Sequence, residues 1–285
     1  AAHGVYVSGD YAYIADGDSG LAIIDISDPT NPGTPIYKNT VGAANDVHIS
    51  GNYAYVADWS SGLAVIDISD PTNPGTPSYE DTTGYSYGVF VSGTYAYISD
   101  YDGLAVIAVS VQIDPKSPFY ESTTGIARNV YVSGDYAYLA AGSSGLAVID
   151  ISDQTNPGTP IYEDTTGEAV GVYVSGDYAY VADFGSGLAV INISDPTNPG
   201  PPIYENTNGA AGDIFVSGDY AYVANGVNLA IIDISDPTNP GPPIYEEITG
   251  SAVSVYVSGD YAYVASESLG LAVVNISDPT NPGTP

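Results

Sequence analysis

The chain lacks cysteine and methionine and has very few basic side chains. Its 285 residues include no Cys, no Met and three Lys or Arg residues, which are Lys38, Lys116 and Arg128. Without cysteine the chain forms neither disulfides nor zinc-thiolate sites, and it offers no thiol nucleophile. A chain of this length buries roughly three quarters of the surface that its unfolded form exposes, so it can fold without covalent cross-links.

The scarcity of positive charge is set against 34 acidic residues, which give a formal net charge of -31 and a pI near 4.1. A field of this sign repels phosphate backbones and anionic membranes, so we expect no nucleic-acid partner. The same field attracts cations and suits saline or calcium-rich surroundings, in which dissolved ions screen the self-repulsion.

Long apolar runs are also missing. None approaches the roughly 18 residues that a membrane-spanning helix needs, and we expect no direct membrane insertion. The chain begins at Ala1 without the basic and apolar leader of a signal peptide. We expect it to be a mature product or an excised fragment whose signal or anchor would lie elsewhere.

What the chain does contain is a repeat. The tripeptide Ser-Gly-(Asp, Asn or Thr) recurs seven times, with spacings of 42, 42, 41, 42, 42 and 41 residues between its glycines. The glycines are Gly9, Gly51, Gly93, Gly134, Gly176, Gly218 and Gly259. No segment shows the 3.6-residue periodicity of an amphipathic helix.

Each repeat contains four short strand signals, which we name A to D from the inside outward. In the first repeat they are Gly4 to Ser8, Tyr11 to Asp16, Leu21 to Ser27 and Pro35 to Thr40. The unbroken apolar run of strand C is typical of a strand that is covered on both faces. Turn-forming glycine and proline separate the strands.

A period of 40 to 45 residues with four strands predicts an all-β, seven-bladed β-propeller of four-stranded antiparallel blades. We expect one domain over residues 1–285, with repeats starting near 4, 46, 88, 129, 171, 213 and 254. The seventh copy stops at Pro285, so the last blade should lack its outer strand. The edge left at Leu271 to Ile276 would be completed by downstream sequence or by a neighbouring chain, which would permit self-association.

Strand C carries a five-residue motif that is followed by Ile-Ser-Asp. Its copies are Leu21-Ala-Ile-Ile-Asp25, Leu63-Ala-Val-Ile-Asp67, Leu146-Ala-Val-Ile-Asp150 and Leu229-Ala-Ile-Ile-Asp233. The motif resembles the LVIVD repeat, a propeller repeat of bacterial and archaeal surface proteins. The copies differ from the LVIVD sequence in having Ala in place of the first Val. Asn192 and Asn275 replace the final Asp in two copies, and the third copy is altered at Ala108 and Val111-Gln112-Ile113. The resemblance covers the whole chain and implies surface display, with no catalytic residue to transfer.

The two faces of the predicted propeller differ in sequence variety. The A–B and C–D connections are nearly identical in every repeat, whereas the B–C and D–A loops, which we call the variable face, differ. Trp59, Tyr101 and Phe184 share one B–C loop position on this face, and its D–A loops carry Tyr85, Tyr87 and Arg128. We expect a surface protein or a glycan to bind there. The alternative is unselected drift in exposed loops.

Acidic residues recur where strand B ends, at Asp16, Asp58, Asp100 and Asp183. Symmetry would place them as a ring of oxygens around the channel mouth, where they could form a weak calcium site; Ca²⁺ takes 6 to 8 oxygen ligands. The alternative is that each aspartate caps the B–C loop of its own repeat. We therefore expect no cofactor other than weakly bound Ca²⁺.

Two further patterns bear on modification and catalysis. Asn192 and Asn275 are each followed by Ile-Ser, which matches the N-glycosylation pattern, although other copies have Asp at this position. His3 and His48 are the two histidines that a nucleophile-base-acid triad could use. His48 replaces a strand A tyrosine, and we expect a packed ring.

Together these features predict a non-enzymatic interaction or structural module, extracellular or on the cell surface, that binds a protein or glycan through the variable face. One alternative is a glycoside hydrolase or lyase with paired carboxylates at the channel mouth, because such pairing is spatial and does not show in sequence. A second alternative is an architectural subunit of a surface layer or extracellular filament.

Overall fold

The architecture is taken from a computed structural model that describes residues 1–109 and 117–285. Lys116 and the altered Val111-Gln112-Ile113 segment lie outside the described residues. Regular structure in the two described segments consists of β-strands. Within these segments, no helix has the length and apolarity to cross a membrane.

Five sheets contain four antiparallel strands each, and every strand in them pairs with its sequence neighbour. They are formed by β1 (Gly4–Ser8), β2 (Tyr11–Ala15), β3 (Leu21–Asp25) and β4 (Ile36–Lys38); β5 (Asp46–Ser50), β6 (Tyr53–Ala57), β7 (Leu63–Asp67) and β8 (Ser78–Glu80); β9 (Ser86–Ser92), β10 (Tyr95–Asp100), β11 (Gly103–Ala108) and β12 (Phe119–Ser122); β13 (Asn129–Ser133), β14 (Tyr136–Ala140), β15 (Leu146–Asp150) and β16 (Ile161–Glu163); β17 (Glu168–Ser175), β18 (Tyr178–Phe184), β19 (Gly187–Asn192) and β20 (Ile203–Glu205).

The remaining sheet has five strands in sequence order: β21 (Ala211–Ser217), β22 (Tyr220–Asp233), β23 (Ile244–Ser258), β24 (Tyr261–Ser266) and β25 (Gly270–Asn275). The described residues thus form six blades of four or five strands, and the expectation of seven four-stranded blades is wrong. The sixth and seventh repeats share one blade because β23 pairs with β22 through its first half and with β24 through its second half.

The sequence of the sixth D–A segment explains why β23 continues without a break. Earlier repeats leave strand D through a turn-forming residue followed by threonine, as in Asp81-Thr82 and Asn206-Thr207. The sixth repeat has Glu247-Ile248 instead, and Ile248 is buried with 1% exposure. A buried β-branched side chain favours extended backbone, so the outer strand runs directly into the next innermost strand.

The core lies between neighbouring repeats. In one cluster Leu21 and Ile23 of the first repeat pack with Val56 and Ile66 of the second, and equivalent clusters follow around the molecule. In the cluster that closes the ring, Tyr263 of the last repeat packs with Val5 and Ile14 of the first. Side-chain packing therefore joins the first and last repeats.

Aromatic rings line the channel at the middle of each innermost strand segment. Their centroids are 4.7 to 4.8 Å apart in an unbroken circle. The members are Tyr6, His48, Phe90, Tyr131, Tyr173, Phe215 and Tyr256. His48 is a packed ring, as expected, and burial lowers its pKa to about 4.

Strand β25 is an edge strand, since its partner in the described residues is β24 alone. Leu271 and Val273 on this strand are half-buried, whereas their counterparts Leu229 and Ile231 have 0% exposure. The same apolar residues are thus covered in the sixth repeat and partly uncovered in the seventh.

This difference predicts unequal effects of one substitution at equivalent positions. Leu229→Ala should lower the free energy of unfolding by about 2–5 kcal/mol, as expected for a leucine removed from a closed core. Leu271→Ala should cost clearly less because water already reaches that side chain. Denaturant unfolding of both variants measures the difference, and equal losses would contradict the open edge.

Candidate functional site

Four aromatic side chains meet on the variable face and form what we call the aromatic patch: Trp59, Tyr85, Tyr87 and Tyr101. Trp59 stacks on Tyr85 with centroids 4.5 Å apart and planes at 16°. Tyr87 meets the edge of Trp59 at 5.3 Å, and Tyr101 meets Tyr85 edge-on at 6.3 Å. Tyr85 and Tyr101 remain 45% and 42% exposed. The patch joins loops of the second and third repeats.

Trp59 has a left-handed backbone, with φ of 48°. At the same loop position other repeats place glycine, at Gly17, Gly142 and Gly226, with φ of 50°, 55° and 64°. A bulky L-residue in this region costs roughly 1–2 kcal/mol, whereas glycine has no such penalty. The backbone is held there by Ser86, whose N–H donates to the Trp59 carbonyl at 3.0 Å. The tryptophan therefore occupies a position that the fold builds for glycine.

The other residues expected on this face are distributed unevenly. Arg128 pairs with Glu168, with 3.2 Å between Nη2 and Oε2, and lines the channel mouth together with Tyr87. Phe184 is 53% exposed but ends β18, two sheets beyond the sheet that precedes Tyr101. It makes no ring contact with the aromatic patch among the described residues.

The channel mouth beside the patch is a cavity of about 300 Å³. Its polar lining includes His3, Asp46, Tyr87, Arg128, Asn129 and Asp213. A second cavity of about 220 Å³ continues along the channel from Asp46 and Asp213 to the ring of aromatics. The mouth thus combines carboxyl, amide, guanidinium and phenol groups in one recess.

Asp46 and Asn129 begin the innermost strands of the second and fourth repeats, and Asp213 lies two residues after the start of the innermost strand of the sixth repeat. Each ties its strand to the next repeat: the Asp46 carboxyl accepts the Val89 N–H at 2.9 Å, and that of Asp213 accepts the Val255 N–H at 3.1 Å. Asn129 Oδ1 accepts the Val172 N–H at 3.2 Å.

The sequence does carry a signal for these residues, because the repeats before them have glycine at this position. A Cβ on Gly4 would lie 2.7 Å from Asp46 Oδ1, and one on Gly171 would lie 3.0 Å from the Asp213 Cα. Gly88 stands in the same relation to Asn129. Each glycine leaves the space that the next repeat's polar side chain fills.

Burial along the channel wall raises the pKa of Asp46 to about 7 and that of Asp213 to about 6. The charge of Asp213 adds to the increase at Asp46, while the backbone N–H groups oppose it. Burial also lowers the pKa of His3, as does the nearby N-terminal ammonium.

The strand B aspartates hold loops in place. Asp58 accepts the Thr40 hydroxyl at 2.6 Å and the Gly42 N–H at 2.8 Å. Asp100 and Asp183 each accept a glycine N–H at 3.0 Å from the D–A loop that leads into their own repeat. The Asp58 and Asp100 side chains thus hold the D–A loop, and the Asp58 carbonyl accepts the Ser61 N–H of its own B–C loop at 2.9 Å. Asp16 instead pairs with the N-terminal ammonium at 3.2 Å.

These contacts separate the aspartates around the mouth. In residues 1–109 and 117–285, no group of three His, Asp or Glu side chains is arranged to hold a metal ion. Burial raises the pKa of Asp100 and of Asp183. The weak calcium site at Asp16, Asp58, Asp100 and Asp183 stays a prediction.

Asn192 and Asn275 are exposed and lie at the end of strand C. Asn192 Oδ1 accepts the backbone N–H and the hydroxyl of Ser194 at 3.0 and 2.7 Å, and Asn275 binds Ser277 in the same way. Asp25 accepts the Ser27 N–H at the equivalent position. Asparagine thus takes over the turn contact of aspartate, and glycosylation of either residue stays a prediction.

Antiparallel sheets arranged around a central channel, each formed from near-identical repeats, define a β-propeller repeat protein. The family model described as LVIVD repeat matches seven times, at residues 1–36, 41–79, 83–118, 124–160, 166–201, 208–241 and 249–284. The chain belongs to the LVIVD repeat family.

Solved structures share the fold at low sequence identity. The β-propeller domain of Cps50 (Swd1) from Myceliophteria thermophila is 11% identical, with 97% of each chain covered and a TM-score of 0.75. A functionally unknown protein from Desulfotomaculum acetoxidans is 13% identical, with 93% of this chain and 90% of that chain covered and a TM-score of 0.75. The RRP9 WD40 repeats are 11% identical, with coverages of 93% and 87% and a TM-score of 0.74. No curated protein matches this chain.

The channel carboxyls predict a pH effect on stability. The native pKa values of Asp46 and Asp213 lie above the unfolded value of about 3.9, so the native state holds more protons between those limits. Their stabilising contribution is therefore full below about pH 4 and is lost as the pH rises through about 6 and 7. Replacing both with Asn should flatten the fall of melting temperature between pH 4 and 8.

Asp10→Asn is the control, because it removes one charge from an exposed A–B turn. Thermal melting of the three proteins across this pH range measures the effect. A double variant whose profile runs parallel to that of Asp10→Asn would contradict raised pKa values in the channel.

Proposed function

We propose that the chain is a non-enzymatic binding module that holds a protein or glycan on the aromatic patch. The observation that carries the proposal is Trp59, which keeps a left-handed backbone where three other repeats have glycine. Strained backbone that persists in a structure is concentrated at sites of function. Glycine was available to the repeat, so the tryptophan side chain has a use that outweighs the strain.

The exposure of the patch supports the same role. Tyr85 and Tyr101 leave nearly half of their surface in water although they touch other rings. Rigid aromatic side chains bury a large area at a small loss of conformational entropy, and Trp and Tyr are enriched among the residues that dominate binding energy. A sugar ring or an apolar side chain of a partner would cover them.

Charge narrows the chemistry of the ligand. With a net charge of -31, the module repels anionic glycans and attracts neutral or cationic surfaces. Arg128 is paired with Glu168, so it adds little positive field at the mouth. We infer a ligand that is neutral or basic. We also propose a location outside the cell, since a charge of this size suits saline or calcium-rich surroundings, in which dissolved ions screen it.

The channel carboxyls support a non-enzymatic role. Asp46 accepts N–H groups from Val47 and Val89, and Asp213 accepts the Ser254 hydroxyl and the Val255 N–H. Both side chains are thereby committed to joining innermost strands.

Trp59→Gly tests the proposal because it removes the ring and also relieves the backbone. Binding to hits from a neutral-glycan array or a surface-protein array should be lost. Thermal stability should stay level or rise, with relief of about 1 kcal/mol set against lost packing on Tyr85. Titration calorimetry and thermal melting measure the two effects.

Phe184→Ser is the matched control, since it removes an aromatic residue from the same loop position in a repeat outside the patch. It should leave the affinity unchanged. Binding that survives both Trp59→Gly and Tyr85→Ser would show that the aromatic patch is not the binding site. Loss of binding in Phe184→Ser would instead place the site at the fifth repeat.

A further inference from the structure

Four polar side chains surround the channel just inside its mouth and form what we call the polar belt: Asp46, Asn129, Asp213 and Ser254. All four line both the mouth cavity of about 300 Å³ and the cavity of about 220 Å³ that continues from it. Asp46, Asn129 and Asp213 are partly exposed. A solute that enters the channel therefore reaches the polar belt.

The strand contacts of the polar belt do not require a carboxyl group. Asn129 accepts the Val172 N–H at 3.2 Å, which is the contact that Asp46 and Asp213 make with the equivalent residue of the next repeat. An amide makes this contact without a charge, whereas a buried charge is costly unless it is paired. The carboxyls of the second and sixth repeats therefore have a use beyond joining strands.

Both carboxyls keep unused acceptor capacity. A carboxylate has about four acceptor sites, and the bonds from backbone N–H groups and the Ser254 hydroxyl occupy part of them. In the part of the chain that the structure describes, no basic side chain forms an ion pair with Asp46 or Asp213, and Arg128 pairs with Glu168. The two carboxyls are thus available to a cation in the channel.

The surroundings of the two carboxyls favour an organic cation. Ca²⁺ takes 6 to 8 oxygen ligands, and no three carboxyl or imidazole groups of the described ranges are arranged around one metal position. The far end of the channel cavity is lined by aromatic rings, including Tyr6, Phe90 and Tyr131, and such rings attract ammonium groups. A mouth of about 300 Å³ is at the small end of ligand pockets, so it admits a small amine or one side chain.

We propose that the polar belt binds an alkylammonium group, which lies between Asp46 and Asp213 and donates its N–H groups to both. The alkyl chain extends toward the mouth, whose lining includes Tyr87, Val170 and Val253. The group belongs either to a free amine or to a lysine side chain of a partner. This site goes beyond the proposed function, because the polar belt and the aromatic patch share no residue.

The ionisation of the polar belt controls its affinity for a cation. Burial raises the pKa of Asp46 to about 7 and that of Asp213 to about 6. Both carboxyls are therefore charged at about pH 8 and largely neutral at about pH 5. A bound ammonium group favours the charged form, so binding lowers both pKa values and releases protons near about pH 6.5.

The other titratable groups that line the two cavities do not reverse this dependence. Toward the mouth they are His3, Tyr87 and Arg128, and on the opposite side they are His48 and the ring tyrosines. Burial lowers the pKa of both histidines, so they are neutral when both carboxyls are charged. Arg128 keeps its pairing with Glu168, and phenol groups are uncharged over this pH range.

Titration calorimetry of the unaltered chain tests the proposal with 1,4-diaminobutane as the probe and 1,4-butanediol as its uncharged counterpart. About 150 mM NaCl screens the net charge of the chain beyond about 8 Å. At about pH 8 the diamine should bind with saturation and the diol should not bind. The affinity for the diamine should fall at least tenfold at about pH 5. Two buffers of different ionisation enthalpy measure the proton release.

Asp46→Asn combined with Asp213→Asn removes the charge of the polar belt and keeps the strand contact that Asn129 already makes. It should weaken diamine binding at least tenfold and abolish the proton release. Asp10→Asn combined with Asp177→Asn is the matched control, because it removes two charges from exposed A–B turns. The control should behave as the unaltered chain does, and thermal melting at about pH 8 checks that both variants are folded.

N-acetyl-lysine methylamide distinguishes the two sources of the ammonium group. Tighter binding of this probe than of the diamine supports a lysine side chain of a partner, and the reverse supports a free amine. Trp59→Gly changes the aromatic patch and leaves the polar belt intact, so its affinity for the diamine should be unchanged. Failure of this proposal is thereby distinguishable from failure of the proposed function.

Three results would overturn the proposal. The first is a diamine that binds no better than the diol. The second is diamine binding that the double belt variant retains at the level of the control, which would assign it to the surface charge. The third is saturable Ca²⁺ binding that the belt variant loses while the amines do not bind, which would assign the two carboxyls to a metal ion.

Discussion

Burial of strand C between neighbouring repeats is the interaction on which this molecule depends. The Leu-Ala-Val-Ile run has apolar side chains on both faces, and in most repeats these residues have less than 5% exposure. A strand that is buried on both faces must be covered on two sides, so no single repeat is stable without neighbours. The ring of packed repeats follows from that requirement, with closure between Tyr263 and the first repeat.

The fold-forming residues and the variable residues separate because they lie at opposite ends of the same strands. Strand C, the A–B turns and the C–D loops repeat almost without change, whereas Trp59 and Tyr85 appear once each at loop positions that tolerate exchange. These loop positions accept different side chains but keep one backbone conformation, because Trp59 has the same left-handed φ as the glycines of other repeats. A rigid ring with variable loops is the arrangement in which binding sites commonly arise.

The repeat period predicted the β-propeller architecture and the strand positions, because turn residues and apolar runs are local signals. The number of sheets was mispredicted because Glu247 and Ile248 keep β23 extended from the sixth repeat into the seventh. The spacing of the repeat glycines does not reveal this continuous strand. The aromatic patch was predicted only in part: shared loop position grouped Phe184 with Trp59, but the ring separates them in space. The contacts that Asp46 and Asp213 make between repeats were not predicted, because their partners are backbone N–H groups of the next repeat.

The edge at β25 is compatible with a closed ring because closure and strand pairing are separate interactions here. Leu271 and Val273 pack against the first repeat through one face of the sheet. The backbone hydrogen bonds of β25 lie in the plane of the sheet, and among the described residues they pair it with β24. Adding a strand therefore does not require the ring to open. Natural sheets usually protect such edges with charge, proline or a short strand. β25 is six residues long and apolar at its centre, so packing against the first repeat covers one face of this edge strand.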